Sequence, residues 1–195
     1  MLSDIYMKCE TGEIVGLFGR NGSGKSTLLK IIAGIISVPD ACIRINSDSK
    51  NTTKTLLREI NYLSQDSFIP KHLSVQKAIQ LSVDKQNETF LGNDSFLQSI
   101  LDKKIKHLSG GELRYLEVKL LLSNPSKFVL LDEPFSKLSP LMCDLVIDLI
   151  KENSVRKGII ITDHNHENVI RVCSRFVLLE NGKLQNIKEK GALLY

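Results

Sequence analysis

A chain of 195 residues, 42% hydrophobic and 25% charged, carries enough apolar material for one soluble domain with a real core. Its formal net charge of +4 comes without a dense basic stripe, which argues against direct nucleic-acid binding. No apolar run approaches the roughly 18 to 20 residues of a membrane-crossing helix, and the four cysteines (Cys9, Cys42, Cys143, Cys173) lack the paired spacing of a zinc or disulfide framework.

In chain order, Met1-Leu2-Ser3-Asp4 shows no basic stretch ahead of an apolar core, so no secretory signal is expected. Leu2–Met7 reads as a short peripheral strand, and Ile14–Phe18, bounded by Gly12 and Gly19, as a buried one. Leu28–Ala33 has the apolar content of a packed helix that begins near Lys25. Cys42–Ile45 suggests another short peripheral strand, and Ile60–Leu63 a second buried one. From Gln65 to Leu108 the character turns helical and polar. Ser74 is placed to cap a helix there, with Val75, Ala78, Ile79 and Val83 at helical spacing. A further helix is predicted from Ser109 to Leu122, ending before Pro125. Strands follow at Phe128–Leu131, Gly158–Ile161 and Phe176–Leu179. The alternation predicts an α/β domain with a mostly parallel central sheet and a small antiparallel β portion. A core of residues 1–65 and 123–195 would carry an inserted helical subdomain of about 66–122.

The most specific motif is Gly19-Arg20-Asn21-Gly22-Ser23-Gly24-Lys25-Ser26-Thr27, of the form G-x-x-x-x-G-K-[ST], between a strand and a helix. Glycines let backbone N–H groups approach phosphate oxygens, and the helix N-terminus adds unsatisfied donors and partial positive charge. Lys25 is then placed to reach the outer phosphates of a nucleoside triphosphate, and the Ser26 hydroxyl to ligate magnesium. This is the loop of a P-loop NTPase. A second motif is Phe128-Val129-Leu130-Leu131-Asp132-Glu133-Pro134, an apolar strand ending in two acids. Ligands of open α/β sheets sit at the carboxyl ends of strands. Asp132 there suits the magnesium, through its water, and Glu133 the alignment and deprotonation of an attacking water. The plainer alternative is a strand that ends in solvated charges. Lys103, Lys104, Lys106 and His107 read as a solvated approach to a loop.

The third motif, Leu108-Ser109-Gly110-Gly111-Glu112, precedes a helix and makes a second anion-binding nest. Here the chain resembles the ATP-binding cassette (ABC) ATPases, whose signature loop reads LSGG followed by Gln or Glu. The runs LLDEPF, ITDHN and Arg171-Val172-Cys173 look most like cassettes of the lipopolysaccharide-export and branched-chain amino-acid groups. The resemblance implies that Ser109, Gly110, Gly111 and Glu112 complete the site of an opposing cassette, so that two ATP molecules are sandwiched in a homodimer or heterodimer. It further implies that Gln65 contacts magnesium and the membrane partner, and that His164 touches the γ-phosphate. The implied function is Mg-dependent ATP hydrolysis driving an integral membrane transporter subunit, docked through the Gln65 region and the helical subdomain. The implied location is cytoplasmic, peripheral at the inner face of the membrane. Phe68, Ile69 and Pro70 are candidates either for that docking surface or for packing beneath the Gln65 loop.

Three departures from the family pattern stand out. The aromatic residue that the family usually has about two dozen positions ahead of the phosphate loop, stacking on adenine in a contact worth about 1 kcal/mol, would fall ahead of Met1 in this sequence. Ser139 occupies the place of an Asp in the loop after Pro134, and Tyr115 that of an Arg beyond Glu112, with Arg114 just before it. The competing readings are a soluble ABC ATPase of the DNA-repair or translation type and a regulator that only binds nucleotide. A small phosphate-loop kinase is argued against by the LSGGE run.

Overall fold

The computed structural model describes residues 2–45, 56, 58–83 and 94–187. Its sheet contains β1 (Ile14–Phe18), β2 (Ile60–Leu63), β3 (Phe128–Asp132), β4 (Gly158–Thr162), β5 (Arg175–Glu180) and β6 (Lys183–Ile187). The strand order is β2-β3-β4-β1-β5-β6. Every pairing from β2 to β5 is parallel, and β6 runs antiparallel to β5. The helices are α1 (Lys25–Ile32), α2 (Val75–Ser82), α3 (Ser95–Gln98), α4 (Gly110–Ser123), α5 (Pro140–Ser154) and α6 (His166–Val172).

Period-two alternation divides the sheet's side chains between two cores. Ile14, Phe18, Val129, Leu131, Ile159 and Ile161 face one cluster, which α4, α5 and α6 cover. Val15, Leu17, Leu130, Ile160 and Val177 face the other, filled by Leu28, Leu29 and Ala33 of the α1 region. A parallel sheet covered on both faces needs continuous apolar strands, and β1 and β4 are buried at every position. Gly16 sits at the centre of β1, where a Cβ would lie 2.8 Å from the Phe18 ring and 3.0 Å from Val169 of α6. The absent side chain is what lets α6 settle onto the sheet.

The expected segments appear, with ends shifted by a residue or so. β3 extends to Asp132, β4 to Thr162, and β5 runs from Arg175 to Glu180. Ser74 caps α2 by accepting from Lys77 N–H at 3.2 Å, and Val83 falls at the C-cap rather than inside the helix. Leu2–Met7 and Cys42–Ile45 do not form the expected peripheral strands; of these residues Ile45 alone makes a bridge pairing. Leu2, Ile5, Met7 and Ile43 instead lay apolar side chains onto the α1-side core from irregular backbone. The antiparallel portion is the β5–β6 hairpin, whose Asn181-Gly182 turn has φ of 50° and 78°. Two successive positive φ values make the turn whose twist matches paired strands.

Between β2 and β3 the described residues form helices joined by turns, and residues 84–93 lie outside the described set. Asp94 anchors that stretch to α4. One of its oxygens caps α3 by accepting from Leu97 N–H at 3.0 Å. The other accepts from the Tyr115 hydroxyl at 2.7 Å and pairs with Lys119 Nζ at 2.7 Å. Burial pushes the Asp94 carboxyl up, but the Lys119 ammonium, the Leu97 N–H and the Tyr115 hydroxyl outweigh it and hold the group below its ordinary value.

Two stability predictions follow from these contacts. Gly16→Ala should cost about 1–3 kcal/mol, read as a lower urea midpoint at unchanged slope. Asp94→Ala strands the Lys119 charge and should cost about 3–5 kcal/mol at neutral pH. Because the folded-state pKa of Asp94 is depressed, its contribution is complete above the unfolded value of 3.8 and is lost as pH falls through the folded one. The stability gap between parent and variant should therefore close in acid.

Candidate active site

The phosphate-type loop connects β1 to α1 and depends on glycine at its tightest point. Gly19 has φ 152°, and a Cβ there would lie 2.5 Å from the Leu179 carbonyl and 2.7 Å from Ser23 Oγ. Gly24, at φ 103°, is the N-cap of α1 and has no side chain to satisfy the first-turn N–H groups. Those donors and the helix dipole make the loop an anion cradle. Lys25 folds back across it, its ammonium donating to the Gly19 carbonyl at 2.8 Å and the Arg20 carbonyl at 3.1 Å. Burial lowers the Lys25 pKa, with Asp132 and Glu133 opposing that shift. Ser23 Oγ is buried without a hydrogen-bond partner among the described residues, a desolvation cost of about 1–3 kcal/mol that an anion's oxygens would relieve.

Parallel register brings the acidic strand end to this loop. Asp132 pairs in register with Thr162, so β3 and β4 end together. Asp132 is 1% exposed. One of its oxygens accepts from Ser26 Oγ at 3.1 Å and the other from the Tyr62 hydroxyl at 2.9 Å. Burial first, and the Asp132 charge second, push the Tyr62 phenol well above its ordinary value, so it stays a donor. Ser26 and Asp132 form a pair of hard oxygen donors suited to Mg²⁺. Among the described residues no group of three or more His, Cys, Asp or Glu could hold a metal ion, so such a cation would share its shell with phosphate oxygens and water.

Glu133 occupies a left-handed backbone conformation, φ 56°, with its N–H donating to the Thr162 carbonyl at 2.7 Å. One oxygen of its carboxylate accepts from Gln65 Nε2 at 2.8 Å and lies 2.7 Å from His164 Nε2. Three residues singled out separately in the sequence thus meet at one atom. Gln65 reaches Glu133 here, not the Ser26–Asp132 pair. Asp163, beside His164, is buried and uses both oxygens structurally, accepting from Phe135 N–H and Asn165 N–H at 2.8 Å each.

Ser109 caps α4 by accepting from Glu112 N–H at 3.1 Å, and the Glu112 carboxylate accepts from Ser109 N–H at 2.6 Å. That reciprocal box satisfies two helix-end donors. Glu112 also pairs with Lys103 at 2.8 Å, which together with the Ser109 contact keeps its carboxyl below its ordinary value. The side chain of Glu112 is therefore committed to holding the loop, while Ser109 and Gly110 are exposed. Among the described residues no hydrogen bond links Ser109–Glu112 to Gly19–Thr27 of the same chain. Ser139, in the place of the expected Asp, accepts from Met142 N–H at 3.4 Å as the N-cap of α5, with Pro140 following. Serine and aspartate both serve that role, so the exchange removes a charge without removing the cap. Phe68 is 44% exposed and Pro70 is exposed, whereas Ile69 packs into the core at 5%.

Two side chains at the site went unassigned in the sequence. Tyr62 was legible only as part of a strand. Arg114 is 5% exposed and binds the backbone carbonyls of Ser64, Asp132 and Glu133. Its signal was the Arg114–Glu117 pair, at i,i+3 among the apolar residues of α4.

A model of the family described as ABC transporter matches residues 2–136. The chain belongs to the ABC transporter family. The thiamine import ATP-binding protein ThiQ of Vibrio parahaemolyticus is 30% identical over 198 residues, 96% of this chain and 85% of that protein. The lipopolysaccharide export system ATP-binding protein LptB of Escherichia coli K12 is 31% identical over 202 residues, 94% of this chain and 82% of that protein. A solved ATP-binding subunit of an ABC transporter superposes with a TM-score of 0.84 at 24% identity, covering 95% of this chain and 83% of that one. A dimeric, post-hydrolysis ATP-binding cassette bound to ADP and Pi gives a TM-score of 0.79 at 20% identity, covering 96% and 91%. Membership makes this chain an ATP-binding ATPase subunit of an ABC transporter. No helix among the described residues is long and apolar enough to cross a membrane.

Proposed function

We propose that this chain hydrolyses ATP in a Mg²⁺-dependent reaction at the interface of two cassettes and so drives a separate membrane subunit. The observation that carries the reading is the meeting of Gln65, Glu133 and His164 at one carboxylate oxygen, beside an anion cradle and the Ser26–Asp132 pair. Loop N–H groups of Gly19–Thr27 hold the phosphates, and Lys25 transfers its ammonium from the loop carbonyls to the outer phosphate oxygens. Ser26 and Asp132 would hold Mg²⁺, which when bound neutralises charge on the β- and γ-phosphates. The Glu133 carboxylate aligns a water for in-line attack and accepts its proton. Gln65 and His164 keep that carboxylate aimed, and His164 also faces the γ-phosphate. Catalysis is then mostly positioning and charge stabilisation.

The exposed Ser109–Gly110 tip serves the opposing cassette, its N–H groups closing over that partner's nucleotide. Hydrolysis removes the ligand both halves share, and the closed population falls. The helical stretch of about 66–122 acts as the docking subdomain. Phe68 and Pro70 supply surface beside Gln65 for a membrane subunit, which keeps the chain at the cytoplasmic face of the membrane.

Glu133→Gln should abolish measurable phosphate release while leaving ATP affinity intact, and should trap an ATP-bound dimer visible by size-exclusion chromatography with light scattering. Unchanged turnover would remove Glu133 from the mechanism. Chelation by EDTA should stop phosphate release and be reversed by added Mg²⁺; turnover that persists without divalent cation would overturn the role given to Ser26 and Asp132.

A further inference from the structure

We propose that Arg114 is the positioning residue for the Glu133 base: it clamps the backbone that aims the carboxylate and ties it to the helix bearing the Ser109 tip. The proposal rests on the ATPase reading of the same site.

All the hydrogen bonds of the Arg114 guanidinium turn inward. Nε and one terminal nitrogen converge on the Glu133 carbonyl at 3.1 Å and 2.9 Å, and that same nitrogen reaches the Asp132 carbonyl at 2.7 Å. The other terminal nitrogen donates to the Ser64 carbonyl at 2.8 Å and to Glu117 at 3.2 Å. Glu117 is itself buried, and its second oxygen accepts from Phe68 N–H at 3.3 Å. Arg114 therefore points no donor at a ligand. It acts on three successive turning points of the site: the end of β3, the Glu133 peptide and the residue preceding Gln65.

The clamp has something to hold. A non-glycine residue at φ 56° is strained and persists only where its surroundings over-determine it. The Glu133 N–H is secured by Thr162 and its carbonyl by two Arg114 nitrogens, so both ends of the strained residue are tied. Only a planar fork makes that grip; a lysine ammonium presents no such fork. Arg114 also stands five residues past Ser109 on one unbroken helix, α4. Displacement of the Ser109 tip by a closing partner is thereby transmitted to the Glu133 peptide and to the start of the Gln65 loop. The nest that serves the opposing nucleotide is mechanically joined to the base that serves its own.

The test uses the full chain and two variants. Arg114→Lys keeps charge but not the fork, and Arg114→Gln combined with Glu117→Gln removes the pair without stranding a buried carboxylate. Both should lose about 100-fold in Mg-ATP turnover, the order expected for a misplaced catalytic group, with KM for ATP and affinity for a fluorescent ATP analogue within about threefold of the parent. A role in stability alone would not split kcat from KM in this way. A second readout needs no activity. Glu133→Gly relieves the backbone strain, so Arg114→Lys should shift the urea midpoint less in that background than in the parent. Turnover within a few-fold of the parent, or equal midpoint shifts in both backgrounds, would overturn the proposal. A parent chain without turnover would sink the ATPase reading itself, leaving the urea comparison to judge Arg114 alone.

Discussion

Everything at the site depends on the in-register parallel pairing of β3 with β4 and of β4 with β1. Gly16 lies opposite Ile161 and Asp132 opposite Thr162, so three chain segments leave the sheet at one edge. The cradle, the acid pair and the His164 turn are each short local structures, and none carries chemistry alone. Their convergence is a property of hydrogen-bonded register, and a slip of one residue would send every side chain of a strand to the opposite face. The apolar character of β1, β3 and β4 is thus a positioning device as well as a core.

Electrostatics at that edge is managed by division of labour. Asp132 is deeply buried and fully engaged by Ser26 and Tyr62, whereas the Glu133 side chain is 20% exposed and meets polar groups that can rearrange around a ligand. Neighbouring carboxylates in one chain reversal thereby acquire different tasks. Lys25 is a cation of the loop facing these acids' charge, and its lowered pKa reflects burial working against the pull of both. The Arg114 guanidinium binds the Asp132 and Glu133 carbonyls and pairs with Glu117, so it takes up neither acid's side chain at the site.

Strand identity and the motif loops were legible because each is a local pattern. Apolar runs bounded by glycine gave β1 to within its ends, and Ser74 and Ser109 marked helix starts through capping chemistry. The Asn181-Gly182 turn was equally local and equally readable, yet it went unread, while Leu2–Met7 and Cys42–Ile45 were expected as peripheral strands. Alternating apolar residues there looked like strands, but they fill a core from loops. Tyr62 and Arg114 could not be read because their importance is non-local: each acts on residues about 20 to 70 positions away, and only the folded register shows which carbonyls and carboxylates those are. The Ser139 exchange stood out in the sequence as a departure from the family pattern; folded, it shows a helix cap with one charge fewer.

The N-terminus of α1 is finished by glycine, which offers no oxygen of its own to the helix's leading amides. A helix left open in this way borrows its cap from whatever anion enters. The occupant is then a structural component of the layer that α1 forms over its side of the sheet, and loading and unloading the cradle amounts to adding and withdrawing a brace from the protein's interior.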